Sequence, residues 1–376
     1  MQKRISVSDT DMSAKVGVEG AWPVLFRVMG ILGFIVAKRR PSGHYETCWP
    51  RLIPMVAIMT SVSCYLFIFP HSLNTRNYDS FIHVSVAATS IGLAFNAFAV
   101  AVLKRRATCS LFQALDGTQR PPKAWVSILS SVLFAAYVVF CGFKNYLTMH
   151  LFTDSIPYLI TTLPSPIVFS LLDFYLIALI DAIHKAHKGK VEQGHRRLRR
   201  PSGSFPPPSG NLYEVSYLMR VPSVMEHYED LSGLVSLYNE VFSTWILLRC
   251  VTFLLKLATC SYFLVAIAKE RAAFAIILSH FAEEVGRFGL LCRRADSLAN
   301  ASKALEDSLF ALLQRPDTTP EDRIQLLSFL AHLKSRPAHI AVGSVGVLCS
   351  SLLVSLINVA LTYAAILFQY QPSSDL

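Results

Sequence analysis

Charge is scarce in this chain. Asp, Glu, Lys and Arg make up 16% of its 376 residues, against about 25% in an ordinary soluble domain. Water could not solvate so apolar a surface, which excludes a soluble enzyme and a disordered chain. A separate polar domain is missing as well. The net charge of +10 therefore has no polar domain on which to build a face for nucleic acid. No Gly-rich phosphate loop, Walker motif or nucleophile elbow occurs, so no catalytic residue, enzyme activity or cofactor is assigned. The eight cysteines contain no CxxC pair. Most lie in or beside apolar runs and read as small buried hydrophobes, with no metal site or disulfide framework among them. Met1 to Gly20 is polar, with Lys3, Arg4, Asp9, Asp11, Lys15 and Glu19, and lacks the pattern of a cleaved signal peptide.

What the sequence does have is apolar runs long enough to cross a bilayer. A spanning helix needs about 20 such residues. The candidates are Leu52–Pro70, Ser80–Leu103, Ala124–Phe143, Ser155–Leu172 (continuing past Asp173 to Ile183), Val241–Ala268, Ala272–Leu291 and Ala338–Gln371. The fifth contains Arg249 and Lys256, and the sixth is weakened by Glu283, Glu284 and Arg287. The last is uncharged over 34 positions. As one helix it would extend about 51 Å against roughly 30 Å of hydrocarbon, so it must be broken or partly packed in protein. The fold class is all-α: a polytopic membrane protein with seven transmembrane helices. Trp22–Ala37, closed by Lys38-Arg39-Arg40, reads as an interfacial helix, with a short span as the alternative.

Orientation follows from the basic residues. With the N-terminus inside, 29 of the 35 Lys and Arg fall on the inner side and four on the outer, namely Arg76, Lys144, Lys269 and Arg271. That asymmetry places the N-terminus in the cytoplasm and, after seven spans, the C-terminus outside. A G-protein-coupled receptor has the opposite orientation. Its Asp/Glu-Arg-Tyr and Asn-Pro-x-x-Tyr motifs are also missing here.

The outer loops are short, and the inner segments are larger. The domain division is therefore a cytoplasmic N-terminus with an interfacial helix (1–51), helices 1–6 (52–291), cytoplasmic anchor helices (292–337), and a last helix with a short outer tail (338–376). Within the second part, 184–239 is a basic, proline-bearing cytoplasmic loop. Pro206 to Pro208 favours polyproline II in a mobile segment. Leu212–Asn239, Cys292–Gln314 and Glu321–Lys334 read as amphipathic helices. In the last of these Ile324, Leu327 and Leu330 mark the apolar face, widened by Leu326 and Phe329. Asn300-Ala-Ser302 matches a glycosylation acceptor but lies on the inner side.

His280-x-x-Glu283-Glu284 puts a ring and a carboxylate one turn apart, without the further ligands a metal requires. Charges inside spans are costly and face protein or water. Arg249 and Lys256, seven positions apart, share a helix face. Three readings stand for them: an ion path, a structural pair with Asp173, or snorkelling at a span that starts later.

The most specific string closes the last apolar run: Thr362-Tyr363, five hydrophobic residues, Gln369, Tyr370. It resembles the last-helix signature of insect gustatory receptors, in which Thr-Tyr and five hydrophobics precede Gln-Phe. Its place seven residues from the C-terminus fits. So do the inside-N topology and the Phe26-to-Phe34 stretch with Gly30, which is similar to the family's N-terminal apolar segment. Tyr370 departs from the usual Phe by a hydroxyl. The resemblance implies a taste receptor that is a ligand-gated, non-selective cation channel in the cell membrane. Four subunits, identical or mixed, would surround one pore lined by the last helices. The gate would be a ring at Phe368, Gln369 and Tyr370, with Thr362 and Tyr363 in packing. A small-molecule tastant would enter a pocket open to the outside. Aromatics on the outer halves of the spans are its candidates: Phe140, Tyr146, Phe169, Tyr262 and Phe274. The partners expected are the tastant, sister subunits and membrane lipid, with no nucleic acid. The competing reading is a secondary transporter, which usually shows internal repeats; none is visible.

Overall fold

The computed structural model describes residues 23–57 (apart from 41 and 43), 95–116, 124–152, 170–186, 221–266, 271–314 and 320–369, with isolated positions besides. The expected spans Leu52–Pro70, Ser80–Leu103 and Ser155–Leu172, and the loop 184–239, lie wholly or largely outside the described residues.

Helix α1, Pro23–Ile31, begins with proline at its first position, where the missing N–H costs nothing. Its Leu25, Phe26 and Met29 are buried. Instead of lying free at an interface, this face packs on protein, with the Phe26 ring 6.1 Å from Phe112 and 5.7 Å from Tyr175. The chain turns at Gly33, whose φ is 84°; a Cβ there would meet the Arg51 carbonyl at 2.2 Å, so only glycine fits. An antiparallel hairpin follows, β1 (Ala37–Arg39) with β2 (Tyr45–Thr47), in register Ala37↔Thr47. Helix α2, Arg105–Asp116, holds the hairpin: Arg39 reaches Asp116 at 3.2 Å, and the Tyr45 hydroxyl donates to the same carboxylate at 3.2 Å.

The bundle consists of α3 (Ala124–Phe152), α4 (170–186), α5 (Val221–Ala266) and α6 (Arg271–Leu313). Tyr228–Leu264 of α5 is, among the described residues, the one stretch both long and apolar enough to cross a membrane by length and composition. Helix α3 runs past the expected end at Phe143, which brings Lys144 into the helix rather than an outer loop. Helix α6 passes through 291 and 292 unbroken, so the apolar span and the expected amphipathic segment are one rod.

Helix α7, Pro320–Ser335, is also proline-started. Its buried face is Leu326, Phe329, Leu330 and Leu333, the i, i+3, i+4, i+7 pattern. Ile324 and Leu327, expected to mark that face, are exposed, at 68% and 52%. The correction is a rotation of about 100° per residue: shifting the stripe by one position changes which leucines point inward. Tyr228 of α5 closes this inner end. Its ring lies 6.1 Å from Phe329 and its hydroxyl donates to the Arg336 carbonyl at 2.8 Å.

The overlong last run is indeed broken. A second hairpin, β3 (Ala341–Val342) with β4 (Gly346–Val347), precedes α8 (Ser350–Gln369). Among the described residues the chain is thus predominantly helical, with two short hairpins that an all-α reading did not anticipate.

Candidate functional site

Helices α3 to α6 bring a set of charged side chains into the interior. Arg249 of α5 donates from Nε and Nη2 to the two oxygens of Asp173 on α4, each at 2.7 Å. The same Nη2 donates to Glu284 of α6 at 2.8 Å. A guanidinium suits this place because its planar fork meets one carboxylate with two donors and still has hydrogens for a second. Lys256, two turns along α5, donates to the other Glu284 oxygen at 2.9 Å. Arg287 reaches Glu284 at 2.5 Å and Ser170 at 2.6 Å, and lies 3.3 Å from Asp173. Glu283 pairs with Lys144 of α3 and accepts the Tyr137 hydroxyl at 2.5 Å. Asp173 is 1% exposed and Arg249 2%. Ions so placed persist only when each is matched by opposite charge and hydrogen bonds.

Of the three readings of Asp173, Arg249 and Lys256, the pair with Asp173 is the arrangement observed. Sequence reasoning did not join Glu284, Arg287 and Lys144 to it. The i, i+3 and i, i+4 spacing of Glu283, Glu284 and Arg287 was the available signal. Neither glutamate is left for a metal, since each is engaged by cations. Around the cluster the packing is aromatic. Phe253 stacks on Phe288 at 4.3 Å, and Tyr175, Phe242 and Trp245, with Phe34 and Arg105, line a small gap in the packing.

Of the five aromatics expected to shape a ligand pocket, four lie among the described residues, on three helices. Phe140 and Tyr146 on α3 are exposed, at 52% and 53%, in the single chain. Tyr262 on α5 is buried, edge-on to Phe263 at 5.7 Å. Phe274 on α6 is half-buried, and Phe169 lies outside the described residues.

The hydrogen bonds that fix the last helix lie at its start. Asn239 of α5 donates to the His339 carbonyl and accepts from the Ala341 N–H, both at 2.9 Å. The Gly343 N–H donates to the Ser243 carbonyl at 2.9 Å. Gly343 has φ 56°, and a Cβ there would sit 3.0 Å from Leu247. Asp296 of α6 accepts from the Ser350 N–H at 3.0 Å and from its hydroxyl, placing a carboxylate at the positive end of α8. Farther along, Ala360 and Ala364 are buried, small residues one turn apart that let helices approach closely. Val354, Leu361, Tyr363 and Ile366 are exposed.

Thr362 bonds back to the Asn358 carbonyl at 2.9 Å and is exposed, as is Gln369. Their separation of seven residues is two turns, so both lie on one open face. Tyr363 is exposed beside them. Phe368 belongs to the same helix, and Tyr370 lies outside the described residues.

A family model described as 7tm chemosensory receptor matches residues 22–374. No curated protein matches the sequence. Among solved structures, the chain is similar to the insect olfactory receptor OR5 from Machilis hrabei in complex with eugenol. The TM-score is 0.61 at 14% identity, covering 94% of this chain and 98% of that one. A second structure of that receptor gives a TM-score of 0.57 at 13% identity, covering 92% and 96%. At such identity the likeness is one of fold.

Proposed function

The chain belongs to the 7tm chemosensory receptor family, and from that premise we propose that it is a gustatory receptor: a ligand-gated, non-selective cation channel opened by a small tastant. The observation that carries this reading is helix α8. It is uncharged throughout, is fixed at its inner end, and presents Thr362 and Gln369 along one open face. In a bilayer such a face needs either lipid or a partner, and an amide belongs with a partner or water. Four copies around an axis would supply both, with Phe368, Gln369 and Tyr370 forming the ring that closes the path. Apolar rings close pores by excluding water, and amides replace water around a passing cation. Thr362 and Tyr363 serve in packing between helices.

Seven spans, with the N-terminus inside and the C-terminus outside, complete the arrangement. Ile324 and Leu327, exposed on α7, suit contact between subunits in the cytoplasmic anchor (292–337). The tastant would bind among Phe140, Tyr146, Phe169, Tyr262 and Phe274, and would open the pore by favouring the arrangement in which the α8 helices stand apart. The machilid receptor was solved with eugenol, which makes small aromatic alcohols reasonable first compounds to test here.

The test is expression in cells with no other chemoreceptor, with whole-cell current recorded during perfusion of small organic compounds. A ligand-evoked cation current is the expected result. Buried charges in α3 to α6 are what favours the second reading, a secondary transporter. Saturable solute flux without channel-like current would establish that reading instead.

A further inference from the structure

The charge cluster joins four helices, and two of them, α5 and α6, also hold the start of the last helix. Arg249 sits on α5 between Asp173 of α4 and Glu284 of α6. Ser243, six residues toward the inner end, accepts from Gly343, and Asn239, ten residues away, holds both His339 and Ala341. Those separations correspond to about 9 and 15 Å along the helix. Helix α6 reaches the same place by a second route, through Asp296 and Ser350. Relative movement of α5 and α6 therefore appears at the start of the last helix, and the bonds between α5 and α6 set how much movement is allowed.

The bonding pattern also permits exchange. Glu284 receives three cations, Arg249, Lys256 and Arg287. Asp173 receives two, Arg249 by a fork and Arg287 at 3.3 Å. Arg249 can thus release Glu284 without stranding a buried carboxylate, and Lys256 keeps α5 tied to α6 while it does. On the other side Lys144 and Tyr137 tie α3 to α6 through Glu283. Such redundancy satisfies every ion in the observed arrangement, and it also lets one ion change partner without leaving another unpaired at this depth, which would be expensive.

We infer that Arg249 is a positioning residue for gating. Its guanidinium, held between Asp173 and Glu284, passes a ligand-dependent displacement of α3, α4 and α6 through α5 to the hairpin and the last helix. The inference rests on the channel reading given above, and it assigns the route by which that channel is opened.

The test compares the full-length wild type with Arg249→Lys, and with the double variant Asp173→Asn, Arg249→Gln. The first keeps the charge but cannot fork onto Asp173 while also bridging to Glu284. The second removes both charges and so leaves neither partner stranded. Surface labelling, probe-induced thermal stabilisation and maximal evoked current are measured with eugenol, sucrose and quinine as probes. Expected are wild-type surface level, unchanged half-saturation for stabilisation, and a maximal current reduced roughly 10-fold. Current and half-maximal concentration unchanged in both variants would overturn the inference. So would loss of current matched by equal loss of binding, and so would failure of both variants to reach the surface, since the cluster would then serve folding alone. A wild type that reaches the surface but passes no current, evoked or basal, would overturn the channel reading itself. That failure is distinct from normal gating in the variants.

Discussion

Helix α5 meets its neighbours through charge, and helix α8 meets them through small residues and backbone. In α5, Arg249 and Lys256 engage two carboxylates inside the bundle. In α8 no charged residue occurs; its contacts beyond the first turn are apolar, with Ala360 and Ala364 buried and Leu353 facing Gly289. The two chemistries constrain motion differently. An ion pair in a low dielectric has a narrow optimum, and leaving it costs several kcal/mol unless another partner waits. Contacts between alanines and leucines change by tenths of a kcal/mol as helices slide. The bundle is therefore specified in discrete arrangements, and the last helix is able to follow whichever arrangement the bundle takes.

Breaking the charged side of this contrast should have the largest effect. Asp173→Ala leaves Arg249 with one carboxylate fewer in a buried site, and is expected to cost about 3–5 kcal/mol. Surface biotinylation should show most of the receptor missing. Restoration of surface receptor in the neutral double variant would separate the stranded charge from lost packing. Next comes the uncharged side. Gln369→Arg should leave surface level intact and suppress cation current, because four like charges would meet in a narrow path. Gln369→Ala should alter leak or selectivity only. Normal current and selectivity in both would remove Gln369 from the pore.

The joint between the two helices should be intermediate. Gly343→Ala forces a left-handed residue against Leu247 and should cost about 1–2 kcal/mol, read as a lower thermal midpoint in detergent. The smallest effect lies far from both, at the first hairpin. A hydrogen bond from Arg40 holds the Glu46 carboxyl below the usual carboxylate range. The benefit of a depressed carboxylate is present above its unfolded value and lost as pH falls. Both groups reach solvent, so the pair is worth little. Glu46→Gln should leave the midpoint at neutral pH unchanged, and a clear drop would show that this hairpin is tied down more firmly than its exposure indicates.

Some of this contrast was legible in the sequence. Asp173, Arg249 and Lys256 stood out because a charge in an apolar run is conspicuous. Lys144 did not, because the run around it ended at Phe143 and hydropathy alone put it in a loop. The helix in fact continues to Phe152. The break in the last run was required by its length, but its position was hidden. Ala341 to Val347 is apolar and β-branched, with two glycines, and hydropathy does not distinguish a hairpin of that kind from a helix. In α7 the leucines are so frequent that two stripes were available, and only packing against Tyr228 chose between them. The aromatic pocket was the least legible feature. Aromatic residues pack cores and line cavities alike, and one sequence offers no means of telling the two apart.

The 46 residues of α5 carry a consequence of a different kind. A helix of that length extends about 69 Å, more than twice the hydrocarbon thickness of a bilayer. With the expected span Val241–Ala268 in the bilayer, the Tyr228 end, with its Phe329 and Arg336 contacts, would stand clear of the lipid tails. Bilayers of different organelles vary in thickness by several ångströms, and a helix that barely spans must tilt or stretch its surroundings to match. Here such adjustment falls on the apolar middle of a rod whose inner packing lies beyond the reach of the tails. A receptor so placed would pass from a thinner internal membrane to a thicker surface membrane without remaking the contacts at the Tyr228 end.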